Sequence, residues 1–245
     1  MKKITLSIAT VLAISGYFVA TQPITPSMAA VSSASVLLFA WPSYMAVVRL
    51  SGKKRAAVLL GLLGVYALFI ESLAIKTGVP YGEFVYKDVL GNKIFGLTPW
   101  TVAFAYPPII LLTYWFARKR HAAHQTHKIL FSTAFDAMLI DLVLDPAAVK
   151  LGFWYWDDGG FFYNVPLINF LGWILTASIA AALVHAILRK QKNIPHAFAY
   201  SGLLVLWFWT WVNIWLGHTW PSVIGVVLIW VFVRFIKSKT GILKQ

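Results

Sequence analysis

The apolar residues of this chain are gathered into blocks of about 17–25, each long enough to cross a hydrocarbon core of ~30 Å as a helix. Blocks of that length leave few folds open. In lipid every backbone N–H and C=O must be satisfied within the segment or in a closed barrel. The expected fold is therefore all-α, a polytopic transmembrane helical bundle of about eight spans. They run roughly over 4–20, 30–48, 56–75, 98–117, 129–149, 164–188, 197–216 and 220–236. Composition agrees: the chain is 60% hydrophobic with a mean hydropathy of +0.74, where a soluble domain is nearer half apolar. A single integral membrane domain over 1–245 is the simplest organisation.

The net charge of +13 suggests nucleic acid only until the charges are placed. They fall in short clusters between apolar blocks, which is a topology signal, and no nucleic-acid-binding motif accompanies them. With the N-terminus inside, seventeen of the 21 basic residues fall in inside segments, from Lys2 and Lys3 through Lys53-Lys54-Arg55 and Arg118-Lys119-Arg120 to Lys239 and Lys244. The outside segments hold only Lys76, Lys87, Lys93 and Lys150. The positive-inside rule then places both termini in the cytoplasm of a multi-pass cell-membrane protein. Lys2, Lys3 and the stretch Pro26-Ser27-Met28-Ala29-Ala30 have the form of a signal peptide and its cleavage region. The first apolar run is long for a signal sequence, and keeping it preserves the charge pattern, so a retained helix is expected. Two long connections, about 76–97 and 150–163, lie outside in this topology and are rich in Gly and aromatic residues, as ordered interfacial loops are.

The chain has no cysteine, which excludes disulfides, thiolate metal sites and cysteine nucleophiles. Its acids are more telling. Of eight acidic residues none lies in a cytoplasmic loop, and Glu71, Asp136, Asp141 and Asp145 fall within apolar spans. Each costs about 2.5–3.5 kcal/mol near a bilayer centre, so such groups face the protein interior and mark function or a polar clamp between helices. Asp141 and Asp145 are four apart and share a helix face. Asp136 lies about 140° round the same helix from Asp141 and looks elsewhere. Asp145 precedes Pro146, which disfavours helix at Asp145, so the span is expected to bend or end there. Glu71, Asp141 and Asp145 share one half of the membrane. Carboxyls brought together in a dry site cannot all ionise, so at least one is expected to keep its proton and serve as a general acid.

Trp154, Tyr155, Trp156, Phe161, Phe162 and Tyr163 follow the acid helix directly. Taken singly they read as an interfacial aromatic belt. Concentrated beside acids, around the turn Asp157-Asp158-Gly159-Gly160, they read as the lid of a ligand site. Aromatic faces also stabilise a cation by about 0.5–2 kcal/mol each, which protonation of an alkene requires. Other features are weaker. His121, His124 and His127 recur every three residues but sit in a basic loop far from the acids, so no metal site is expected. Trp207, Trp209, Trp211 and Trp215 are not expected to form one stripe, because a two-residue step turns ~200°. Asn169 and Asn213 are intramembrane amides that bond across helices or touch a ligand. There is no serine-hydrolase elbow, phosphate loop, dinucleotide fingerprint or His-Glu-x-x-His.

Two blocks carry a resemblance. One is ESLAIKTGVPYGEFVYKDVLGNKIFGLTPW, from Glu71 to Trp100, with its Thr-Gly-x-Pro-Tyr-Gly core. The other runs from Asp141 to Trp173, with Asp-Leu-x-x-Asp-Pro, Gly-x-Trp-x-Trp and Val-Pro-x-x-Asn-Phe-x-Gly-Trp. Together they resemble the membrane carotenoid biosynthesis family that contains the carotenoid 1,2-hydratases of the CruF and bisanhydrobacterioruberin hydratase type. The resemblance implies a hydro-lyase that adds water to the terminal 1,2 double bond of an acyclic, lycopene-like carotenoid and needs no redox cofactor. Asp141 or Asp145 would donate the proton, with Glu71 and the other aspartate positioning water or tuning the acid. Trp154, Trp156, Tyr163, Asn169, Trp173 and Trp100 would line the substrate. The implied partners are the carotenoid, the bilayer and other enzymes of the pathway, with no nucleic acid. An end-group cyclase or isomerase would use the same acid and cation but lose a proton in place of capturing water. A proton-coupled transporter would move its substrate unchanged.

Overall fold

The computed structural model describes residues 2–237, with side chains from residue 7 onward. Lys239, Lys244 and the side chains of Lys2 and Lys3, counted above among the inside charges, lie outside the described residues. Among those residues the chain forms eight α-helices: α1 Lys2–Thr21, α2 Ala29–Ser51, α3 Lys53–Thr77, α4 Val102–Arg120, α5 Thr126–Lys150, α6 Leu167–Leu188, α7 Tyr200–Leu216 and α8 Thr219–Lys237. Each overlaps one expected span, and the protein is an all-α polytopic bundle. Helix α4 begins later than expected because Thr98–Pro99 leaves the apolar run to pair with Lys93–Ile94.

Five helices among the described residues are long and apolar enough to cross a membrane: those over 26–51, 53–77, 167–188, 196–216 and 219–237. Helices α4 and α5 fall short of that measure for a structural reason. They occupy the centre, where α4 touches α2, α3, α5, α6 and α7, and α5 touches α4, α6, α7 and α8. Every residue of α4 from Tyr106 to Ala117 is buried. A helix shielded from lipid by its neighbours tolerates polar side chains, and α5 carries three aspartates, all buried.

Prolines in these central helices leave carbonyls without their helical donors, and other groups lie close by. Pro107 has no N–H for the Ala103 carbonyl, and the Tyr44 hydroxyl donates to it at 3.4 Å. The span was expected to reach about residue 149 and to bend or end at Asp145; helix α5 does not end there but runs through Pro146 to Lys150. Only one helical donor is lost there, and burial among four neighbouring helices outweighs the local preference. Beside that break the Asn213 amide of α7 donates to the Val143 carbonyl at 2.6 Å, so Asn213 acts as a clamp between helices.

The four tryptophans of α7 do not form one stripe together, as their spacing indicates. Three of the four, Trp207, Trp211 and Trp215, do form a stripe, four residues apart along α7 and facing α1. The Trp207 and Trp215 indoles donate to the Ala9 and Ala13 carbonyls at 3.0 and 3.2 Å, and successive rings lie 6.1 and 5.8 Å apart. Trp209 alone turns away, onto Phe153.

At one end of the bundle the two long connections meet. Strand β1 (Phe84–Tyr86) pairs antiparallel with β4 (Trp154–Trp156), setting Phe84 opposite Trp156 and Tyr86 opposite Trp154. The period of two turns Phe84, Tyr86 and Trp156 inward and leaves Val85 and Tyr155 exposed. Strands β2 (Lys93–Ile94) and β3 (Thr98–Pro99) form a second small ribbon.

Candidate active site

Glu71, Asp145 and Asp141 approach the end closed by the β1–β4 ribbon. They lie about 9, 7.5 and 13.5 Å along their helices from the helix ends there, at 1.5 Å per residue. All three are buried. The 100° turn per residue sets Asp141 and Asp145 one above the other on α5, and Asn169 of α6 faces both. Its Nδ2 donates to Oδ2 of Asp141 at 2.8 Å and to Oδ2 of Asp145 at 2.6 Å. One amide nitrogen thus uses both protons to hold two carboxyls together. The second oxygen of Asp141, Oδ1, is buried and accepts from no N–H or hydroxyl, while the Asp141 and Asp145 carboxyls lie within hydrogen-bonding reach of each other. Two carboxylates in such a site cannot both be ionised without large cost, so the pair is built to hold a proton.

Glu71 enters from α3, close enough to Asp145 for their charges to interact. Its Oε2 accepts a hydrogen bond from the Tyr86 hydroxyl at 3.1 Å. Burial, and next the neighbouring Glu71, holds the Tyr86 phenol well above its ordinary range, so it stays a donor. Beside Tyr86 on the ribbon, Trp154 packs edge-on at 5.5 Å and reaches Asp145. The Trp156 indole donates to the Tyr81 carbonyl at 2.9 Å. The Tyr81 hydroxyl in turn donates to Thr176 at 2.8 Å.

The turn that carries Tyr81 is set by glycine. Gly78 takes φ +73 at the end of α3, and its N–H caps the Ala74 carbonyl. Gly172 on α6 lets the turn seat, because a Cβ there would lie 2.5 Å from the Pro80 carbonyl oxygen and 2.7 Å from the Tyr81 ring. The Thr-Gly-x-Pro-Tyr-Gly core is thus a packing device that seats the ribbon over the acids. One turn along α6 from Asn169, Trp173 stacks on Tyr106 with ring centres 5.4 Å apart and planes at 28°.

The structure therefore gathers Glu71, Asp141, Asp145, Trp154, Trp156, Asn169 and Trp173. It places two candidates elsewhere. Trp100 rests on Phe104 at 5.7 Å. Tyr163 turns to the α7–α8 connection, where its ring lies 4.6 Å from His218 and its hydroxyl accepts from the Trp220 N–H at 3.3 Å. Asp136 looks elsewhere, as its angle on the helix indicates, and pairs with Arg120. His121 shares a hydrogen bond with Ser132 at 2.8 Å, and among the described residues no group of three or more His, Cys, Asp or Glu could hold a metal. Tyr81, Tyr86 and Tyr106 were missed from sequence. For Tyr86 a signal existed: Phe-Val-Tyr and Trp-Tyr-Trp are matched alternating triplets, one on each loop.

Residues 28–232 match the profile of a family described as carotenoid biosynthesis protein. The chain belongs to that family. Both blocks of the carotenoid biosynthesis resemblance lie inside the match. The chain is also 33% identical over 190 residues to bisanhydrobacterioruberin hydratase of Haloarcula japonica, an alignment covering 72% of this chain and 64% of that protein. The aligned part thus spans less than two thirds of the relative's length. No solved structure matches the chain.

Proposed function

We propose that this carotenoid biosynthesis protein hydrates the terminal 1,2 double bond of an acyclic, lycopene-like carotenoid, giving a tertiary alcohol. The observation that carries the reading is Asn169 holding Asp141 and Asp145 together, with Asp141 Oδ1 accepting from no N–H or hydroxyl. A carboxylic acid with such an oxygen in a dry, aromatic-walled site suits proton delivery to a carbon, which is a poor hydrogen-bond acceptor. The proton passes from the aspartate pair to C2, and the alkene's electron pair forms the new C–H bond. Positive charge then rests on the more substituted C1. Trp173, Trp154 and the tyrosine rings face that charge, each contributing about 0.5–2 kcal/mol. Water bonds to C1 and returns a proton to the carboxylate, so one water is added and the acid is restored. No electrons are transferred, so the chemistry asks for no redox cofactor. Acid–base assistance of this kind contributes about 10²–10⁴-fold.

The name of the Haloarcula japonica relative supports the reading. In this proposal the chain is one membrane domain in the cell membrane. The Arg118-Lys119-Arg120 end is cytoplasmic, and the β1–β4 ribbon lies at the outer interface. The test is incubation of purified protein with an acyclic carotenoid in water labelled with heavy oxygen. The reading expects a product heavier by one labelled water and carrying a tertiary hydroxyl. Conversion to an isomer of unchanged mass would instead make the protein a cyclase or isomerase.

A further inference from the structure

The hydroxyl of Tyr106 takes no part in the scheme above, yet it is built into the site. Tyr106 lies on α4 with its ring between Tyr66 at 6.2 Å and Trp173 at 5.4 Å, and it is 4% exposed. Its hydroxyl is buried and makes no well-formed hydrogen bond. It leans toward Thr176 and stands within electrostatic reach of Asp141 and Glu71. The Thr176 hydroxyl already accepts from Tyr81 and faces the Trp173 carbonyl at 3.5 Å. A buried hydroxyl without a partner costs about 1–3 kcal/mol, a cost that stability alone does not explain. In this cluster Asp141 Oδ1 shares the same condition. Neither makes a well-formed hydrogen bond, Tyr106 reaching only toward Thr176 and the Asp141 carboxyl only toward Asp145; a buried donor and a buried acceptor so placed in one aromatic-walled site suit a water molecule, which needs two to four polar partners.

We infer that Tyr106 positions the water that adds to C1, together with Asp141 Oδ1. The inference rests on the hydratase reading and divides its two steps between groups. The aspartate pair supplies the proton to C2. Tyr106 orients the water oxygen toward C1, and the proton shed by that water returns to Asp141. Without the hydroxyl the cation still forms, but it collapses by losing a proton from C2 or from a carbon next to C1, regenerating an alkene.

The test uses Tyr106→Phe, which keeps the ring and its stacking. The full-length protein is incubated with lycopene in heavy water. Wild type is expected to give a hydrated product with deuterium at C2. Tyr106→Phe is expected to hydrate at least about tenfold more slowly while still placing deuterium in the end group of recovered alkene. It is also expected to melt at or above the wild-type temperature, since it removes an unpaired buried hydroxyl. Three results for the variant would overturn the inference: hydration at the wild-type rate, loss of hydration and deuterium uptake together, or a clearly lowered melting temperature, which would make the hydroxyl a structural donor. Wild type that neither hydrates nor exchanges lycopene would instead sink the hydratase reading itself, and this inference with it.

Discussion

The Tyr86 hydroxyl donates to Glu71 Oε2 across 3.1 Å, joining the β1–β4 ribbon to helix α3. The ribbon is thus latched to the acids it covers. Removing the donor leaves a buried carboxyl with one fewer partner. Tyr86→Phe is expected to lower stability by about 1–3 kcal/mol, read as a fall in melting temperature in detergent. Glu71→Gln keeps an acceptor for Tyr86 and is expected to melt near wild type. A stability loss in Glu71→Gln equal to that of Tyr86→Phe would show that the latch is not this hydrogen bond.

The Arg120–Asp136 pair is a structural clamp between α4 and α5, with the Arg120 guanidinium also lying 4.0 Å over the Phe116 ring. Breaking a buried pair from one side typically costs about 3–5 kcal/mol. Arg120 keeps 31% of its side chain exposed, so Asp136→Leu is expected to cost less, roughly 1–3 kcal/mol. Arg120→Met combined with Asp136→Leu should recover most of that loss. Chemical denaturation of the two single variants and the double variant checks this. Activity per folded molecule should stay at the wild-type level throughout, because Asp136 faces away from Asp141.

Gly172 is where the 78–82 turn meets α6. Gly172→Val would push its side chain into the Pro80 carbonyl and the Tyr81 ring. Overpacking of this kind costs about 1–3 kcal/mol. The displaced turn would loosen both the Tyr81–Thr176 and the Trp156–Tyr81 hydrogen bonds. The expected signature is a lowered melting temperature together with faster amide hydrogen exchange confined to residues near 78–86. Exchange unchanged in that turn would contradict its seating on Gly172.

The helices were legible in the sequence because bilayer thickness sets their length, and a block of apolar residues records it. The sharing of one face by Asp141 and Asp145 was legible because it depends only on the helical turn. Asn169 was legible as an intramembrane amide, but not as the bridge between two acids, since α5 and α6 meet only in the fold. The ribbon stayed hidden for a related reason: Phe84–Tyr86 and Trp154–Trp156 are far apart in sequence, and their matching alternation shows only when the two loops are set side by side. The run of α5 through Pro146 and the grouping of three of the four α7 tryptophans depend on more than local rules. In the first case packing overrode the Asp-Pro preference. In the second, a spacing of four was concealed by Trp209 standing between its members.

In the proposed reaction the Asp141–Asp145 pair protonates a polyene end group so that water can add. The most direct measurement is the mass of the pigments made by a lycopene-producing host expressing wild type, Asp141→Asn or Asp145→Asn, with membrane levels of each protein matched. Wild type is expected to give pigment heavier by one water, and each variant a fall of about 10²–10⁴-fold in that product. Full hydration by both variants would contradict the proposal.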